Sequence, residues 1–196
     1  MGRLFVALMH YPVLDRNGRI ITSAITSLDL HDIARSSRTY EVSAFYVIHP
    51  VRYQREFAAS VIDHWRLDEG RLYDSRRREA LDLIEVVADL DEALKAAEAM
   101  ARARPLTVYT SARAAGAISY AEMRQRMAPE DAPPMMILLG TGFGLGSAVR
   151  DRADLILEAV RGPGEYNHLS VRAAASVILD RLRGRQAAPV AKDDAS

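Results

Sequence analysis

Four glycines stand at every second position in Leu139-Gly140-Thr141-Gly142-Phe143-Gly144-Leu145-Gly146. Glycine lets a ligand approach the backbone closely and takes dihedrals that other residues avoid. The spacing misses the dinucleotide fingerprint. Counted from Gly140, the third glycine of G-x-G-x-x-G falls on Leu145; counted from Gly142, it falls on Ser147. No lysine lies near, which excludes a phosphate-binding P-loop as well. The run suits a neutral ligand portion held by backbone groups, and its plain alternative is a glycine-rich connection with no ligand. A second stretch, Gly162-Pro163-Gly164-Glu165-Tyr166-Asn167-His168-Leu169-Ser170, is turn chemistry leading into a helix. Either Asn167 or Ser170 can cap that helix, leaving N–H groups for a carboxylate or another polar group. Thr110 and Ser111 make a third short polar step after an apolar run. In the N-terminal half, Asp29, His31, Arg35 and Arg38 share one segment of helical pattern. Arg35 and Arg38 lie on one side of it, three residues apart. The plain alternative there is a solvated face with local Asp32–Arg35 pairing.

These residues need a frame to hold them. Residues 4–9, 42–48, 83–87, 106–110, 135–139 and 154–157 read as strands. Between them lie helical patterns at 29–40, at 51–67 (Phe57, Val61 and Trp65 spaced four apart), at 91–104 and at 169–182. The 91–104 helix carries Asp91 and Glu92 in its first turn and is expected to end on arginines, matching its dipole. Strand–helix alternation predicts an α/β fold, a mostly parallel sheet with helices on both faces. Residues 1–185 are expected to form one domain and 186–196 a loose tail. The glycine run follows the fifth predicted strand, whereas a Rossmann fingerprint normally follows the first.

Composition removes several classes. The 196 residues include no cysteine, which excludes a disulfide scaffold, a cysteine-ligated metal and a thiol nucleophile. No metal site is assigned. Apolar runs are too short for a membrane span and the N-terminal run too short for a signal peptide, so a soluble cytoplasmic protein is expected. Charge balances at 26 basic and 26 acidic residues, so any polyanion site must be a local patch. Arg16, Arg19, Arg35 and Arg38 are the candidates for it. Arg76-Arg77-Arg78, flanked by Asp74 and Glu79, reads as a solvated surface.

Together, the strand ending Leu138-Leu139-Gly140-Thr141-Gly142-Phe143-Gly144-Leu145 and the later Asn167-His168-Leu169-Ser170-Val171 resemble the cofactor half of the SPOUT, or α/β-knot, RNA methyltransferases. The resemblance runs from Leu4 to about Leu182. It is closest to a bacterial branch similar to the tRNA (guanine-N1)-methyltransferase C-terminal domain. It implies a C-terminal trefoil knot, an exception to the rule against threaded chains. It also implies S-adenosylmethionine as cofactor, held by Thr110 and Ser111, by Leu139, Gly140, Thr141, Gly142, Gly144 and Leu145, and by Leu157, Gly162, Asn167, His168, Leu169 and Ser170. Backbone groups near Leu139, Leu157 and Leu169 would hold the adenine.

The related ribose 2′-O branch carries an asparagine and, six residues later, an arginine on its first helix. Asp29 and Arg35 stand at that spacing here, with aspartate in place of asparagine. For most acceptors methyl transfer needs positioning and removal of a proton. Asp29 or His31 is the expected base and His10 a further candidate; Arg35 would orient the acceptor or lower its proton affinity, and Arg35 and Arg38 can face the cofactor's methyl group or a phosphate. The implied function is methyl transfer to a base nitrogen or ribose oxygen of tRNA or rRNA by a homodimer. The competing readings are a non-catalytic cofactor- or nucleotide-binding module acting through partners, and an NAD-type oxidoreductase that the glycine spacing disfavours.

Overall fold

Leu4 through Met9 are all buried, so the first strand, β1 (Leu4–Met9), is covered on both faces. A strand wet on one side would alternate between apolar and polar residues; this unbroken run demands a layer above and below. The computed structural model describes residues 2–67, 74–114 and 117–185. Its further strands are β2 (Val13–Leu14), β3 (Ile20–Ile21), β4 (Ala44–Ile48), β5 (Ile84–Val87), β6 (Leu106–Tyr109), β7 (Met135–Gly140) and β8 (Leu155–Ile156). Six of them form one sheet in the order β5-β4-β1-β7-β6-β8, parallel throughout, with β1 between β4 and β7. β2 and β3 form a separate antiparallel hairpin. Its turn is pinned by Asp15 Oδ1, which accepts from the N–H groups of Asn17 and Arg19, and by Gly18 at φ 77°.

The alternate residues of β1 feed two cores. Leu4, Val6 and Leu8 meet α1 (Ser27–Thr39), α2 (Arg52–Arg66), α3 (Ser75–Leu81), α5 (Tyr120–Met127) and α7 (Val171–Arg183). Phe5, Ala7 and Met9 meet α4 (Leu90–Ala101) and α6 (Ser147–Asp151). The α/β sheet with helices on both faces is therefore present, with the heavier layer on the α1 side. Ser75, Tyr120 and Ser147 open three helices that apolar periodicity does not reveal.

Three readings need correction. α4 ends at Ala101 because Arg102, its C-cap, turns to φ 59°; the arginines lie beyond the helix, and Arg104 pairs with Asp154 at 3.2 Å instead of serving the dipole. On α2 the buried residues are Ala58 and Ile62. Val61 and Trp65 pack partly against the core, and Phe57 is exposed. The Arg76–Arg78 run is less free than a solvated patch: the Arg77 guanidinium lies 4.7 Å over the Trp65 ring, and Arg78 faces Asp82 at 3.8 Å. Residues 186–196, expected as a tail, lie outside the described residues.

Candidate cofactor site

In this sheet the chain builds outward from β1 in both directions, and such a reversal leaves a crevice beyond the carboxyl ends of the strands. A cleft of about 870 Å³ opens there, over the ends of β6 and β7 and the segment that follows β8. Thr110, Ser111, Leu139, Gly140, Thr141, Gly142, Gly144, Asn167, His168, Leu169 and Ser170 line it, together with Ala24 and Asp29. Three expected residues do not. Leu145 is buried beneath the loop, and its Cγ lies 2.7 Å from where a Cβ on Gly140 would sit. Leu157 is buried at the sheet edge, its N–H donating to the Tyr109 carbonyl at 3.0 Å. Gly162 is exposed, with open space around it.

The glycine loop owes its shape to a partner that no sequence motif marks. It lies along β2 as a further strand would: Phe143 N–H donates to the Leu14 carbonyl (3.0 Å), Leu14 N–H to Gly144 (2.9 Å), and Gly146 N–H to Pro12 (3.1 Å). Gly142 and Gly144 take φ of 60° and 107°, the left-handed region that side chains avoid. The opposite wall is tied across, since Asn167 Nδ2 donates to the Ala112 carbonyl at 3.3 Å. Ser170 caps α7 by accepting from Ala173 N–H (3.2 Å), which settles the two capping candidates.

Asp29 enters the cleft from the first turn of α1 and is only 9% exposed. Thr26 caps that helix by accepting from Asp29 N–H (3.2 Å) and donates its own hydroxyl to Asp29 Oδ2 (2.7 Å). Arg172, on α7, reaches Asp29 at 3.6 Å and Asp32 at 3.7 Å. Arg35 lies elsewhere, in an adjoining groove between α1 and α7 that shares Ser170 with the cleft. Arg38 and His31 line neither hollow. Arg38 is ion-paired with Glu79 on α3, and the His31 ring meets Trp65 edge-on at 5.5 Å. Burial, then the Arg77 guanidinium, hold His31 below the usual histidine range. Arg16 and Arg19 are exposed in the hairpin turn. Among the described residues, no cluster of three or more histidines and carboxylates stands ready for a metal ion.

Behind the loop His10 is wholly buried at the end of β1, 5.7 Å from the His49 ring. Burial, and secondarily His49, lower its pKa from 6.5 to about 4. Folded protein therefore leaves His10 neutral at a pH where the unfolded chain would protonate it. Stability conferred this way is complete above pH 6.5 and is lost as pH falls toward 4. His10 alone should cost about 2 kcal/mol between pH 7 and pH 5. Denaturant unfolding at both pH values is expected to show this loss in the parent chain and a correspondingly smaller one in His10→Gln.

A cleft at the carboxyl edge of a parallel sheet, with a glycine-rich wall and no lysine in its lining, is the place where an α/β protein of this class can hold a cofactor. Among solved structures with this fold, a probable methyltransferase from Bordetella pertussis Tohama I superposes with a TM-score of 0.61 at 18% identity, covering 93% of each chain. The SpoU methyltransferase AviRb from Streptomyces viridochromogenes, in complex with the cofactor AdoMet, does so at 0.53 and 16%, covering 92% of this chain and 56% of that one. An uncharacterized protein of Aquifex aeolicus is 39% identical over 183 residues, 93% of this chain and 89% of its own length. A tRNA (guanine-N(1)-)-methyltransferase of Oleidesulfovibrio alaskensis is 36% identical over 181 residues, 92% of this chain; the match spans only 42% of that longer protein. A family model described as SAM-dependent RNA methyltransferase matches residues 3–184. The chain belongs to that family, and S-adenosylmethionine is the family's cofactor.

Proposed function

We propose that the cleft is the S-adenosylmethionine site and that residues 1–185 form a single methyltransferase unit acting on RNA, tRNA or rRNA, in the cytoplasm. The convergence of three separate chain segments on one hollow carries this reading. The cleft fits such a molecule: Gly144 leaves open space against the backbone, and the loop from Leu139 to Leu145 carries no charged side chain. Gly140, Thr141, Gly142 and Gly144 would hold one side of it, and Asn167, Leu169 and Ser170 the other. When bound, it supplies an electrophilic methyl group. Asp29 accepts the proton that the acceptor atom, a base nitrogen or ribose oxygen, gives up. Thr26 and Arg172 fix the Asp29 carboxylate toward the hollow. We also propose that the segments meeting here thread as a trefoil knot, in keeping with the likeness to a SpoU methyltransferase.

Arg35 supports a homodimer. It sits outside the cleft of its own chain, in the groove beside α7. In this reading Arg35 serves RNA bound along that groove and the cleft of a second copy. Arg35→Ala is expected to abolish methyl transfer to RNA while leaving S-adenosylmethionine affinity nearly intact. Unchanged turnover would remove Arg35 from the reaction. Tight cofactor binding with no transfer to any cellular RNA would favour the non-catalytic module instead.

A further inference from the structure

Ser23 lies between β3 and α1, and every polar group it has is engaged. Its N–H donates to the His10 carbonyl at 3.0 Å, and its carbonyl accepts from His49 Nε2 at 3.0 Å. Its hydroxyl is hydrogen-bonded both to His10 Nδ1, at 3.1 Å, and to the Thr141 hydroxyl in the glycine loop. His49 Nδ1 accepts from Val51 N–H at 3.0 Å, so its other nitrogen carries the proton and must donate to Ser23. The segment is pinned once more two residues on, where Ile25 N–H donates to Gln54 Oε1 at 2.8 Å. Histidines at the carboxyl ends of β1 and β4 thus hold one serine, 118 residues distant in sequence from the threonine it meets.

Ala24 and Asp29 on one side and Thr141 on the other all line the cleft. We propose that Ser23 is a positioning residue: its hydroxyl latches the segment leading into α1 onto the glycine loop, keeping Asp29 and the cofactor cradle in one register. The latch rests on reading the cleft as the S-adenosylmethionine site. Removing the hydroxyl leaves buried His10 Nδ1 without a partner and leaves the part-buried Thr141 hydroxyl only a long contact to the Met9 carbonyl, at 3.5 Å. It also frees the loop from the helix that carries Asp29.

The test compares Ser23→Ala, Ser23→Thr, Thr141→Val and the Ser23→Ala/Thr141→Val double variant. Amide hydrogen exchange over residues 139–146 is measured without ligand, and S-adenosylmethionine affinity and methyl-transfer kinetics are measured separately. Ser23→Ala should speed exchange in the loop and weaken cofactor binding about tenfold, the cost of one part-buried hydrogen bond left half-made. KM for the cofactor should rise while KM for RNA stays put, and Ser23→Thr should restore parental loop exchange and cofactor KM. Because the two hydroxyls share one contact, the double variant should lose less than the two single effects multiplied together. Unchanged exchange and affinity in Ser23→Ala would overturn the latch, as would effects of the two substitutions that simply multiply. Should Ser23→Ala not fold, Thr141→Val read against Ser23→Thr decides by the same two readouts. A parent chain that fails to bind S-adenosylmethionine would sink the cleft reading alone, since the exchange comparison uses no ligand.

Discussion

Gly142→Val is expected to weaken S-adenosylmethionine binding on the order of a hundredfold with only a small loss of thermal stability. Gly142 sits at φ 60°, and a Cβ there would lie 3.0 Å from the Leu14 carbonyl oxygen. Holding that dihedral costs a β-branched residue about 1–3 kcal/mol. The contact adds to this, because the oxygen it presses already accepts from Phe143 N–H. The loop escapes by leaving β2, which dismantles the wall of the cleft while the sheet beneath stays packed. Roughly 3 kcal/mol of reorganisation corresponds to the hundredfold. Calorimetric titration measures it; wild-type affinity in this variant would mean that the loop does not touch the cofactor.

Asp29→Asn should lower turnover by about 10²–10⁴-fold, the usual contribution of a positioned general base. The two side chains have the same shape, so the Thr26 hydroxyl keeps an acceptor and the cap of α1 survives. Proton acceptance is what disappears. Cofactor affinity should stay within about threefold, because an interaction made in the transition state is lost and not one made on binding. Single-turnover transfer from labelled S-adenosylmethionine to RNA separates the two. Full activity in Asp29→Asn would exclude the aspartate as base and place this chain with the ribose-type branch, whose matching position carries asparagine.

Much of this architecture is legible in the amino-acid sequence. The apolar runs place the six parallel strands to within a residue or two, most plainly β1, β4 and β7, which are buried on both faces and so apolar throughout. The glycine run marks the loop that lines the cleft. Other features are hidden for physical reasons. α5 is short, with charged residues on most of its surface, so apolar period gives little sign of it. Its capping box, Ser119 with Glu122, is nonetheless written in the sequence and is the signal that could have found it. The α2 stripe is rotated from its expected face because Ala58, too small to register as a core residue, is the one that approaches the sheet. His31 and Arg38 share a helix with Asp29, but Trp65 and Glu79, set by the packing of α2 and α3, draw them elsewhere. Contacts such as Ser23 with Thr141, or Leu14 with the glycine loop, join segments more than a hundred residues apart, and no local pattern encodes them.

The roles given to Asp29, Gly142 and Ser23 all depend on this cleft binding S-adenosylmethionine. Isothermal titration of the purified chain with S-adenosylmethionine, S-adenosylhomocysteine and NAD, without and with total cellular RNA, tests it most directly. The two adenosyl compounds are expected to bind and NAD to give no heat of binding. Failure of both adenosyl compounds to bind even with RNA present would contradict such binding.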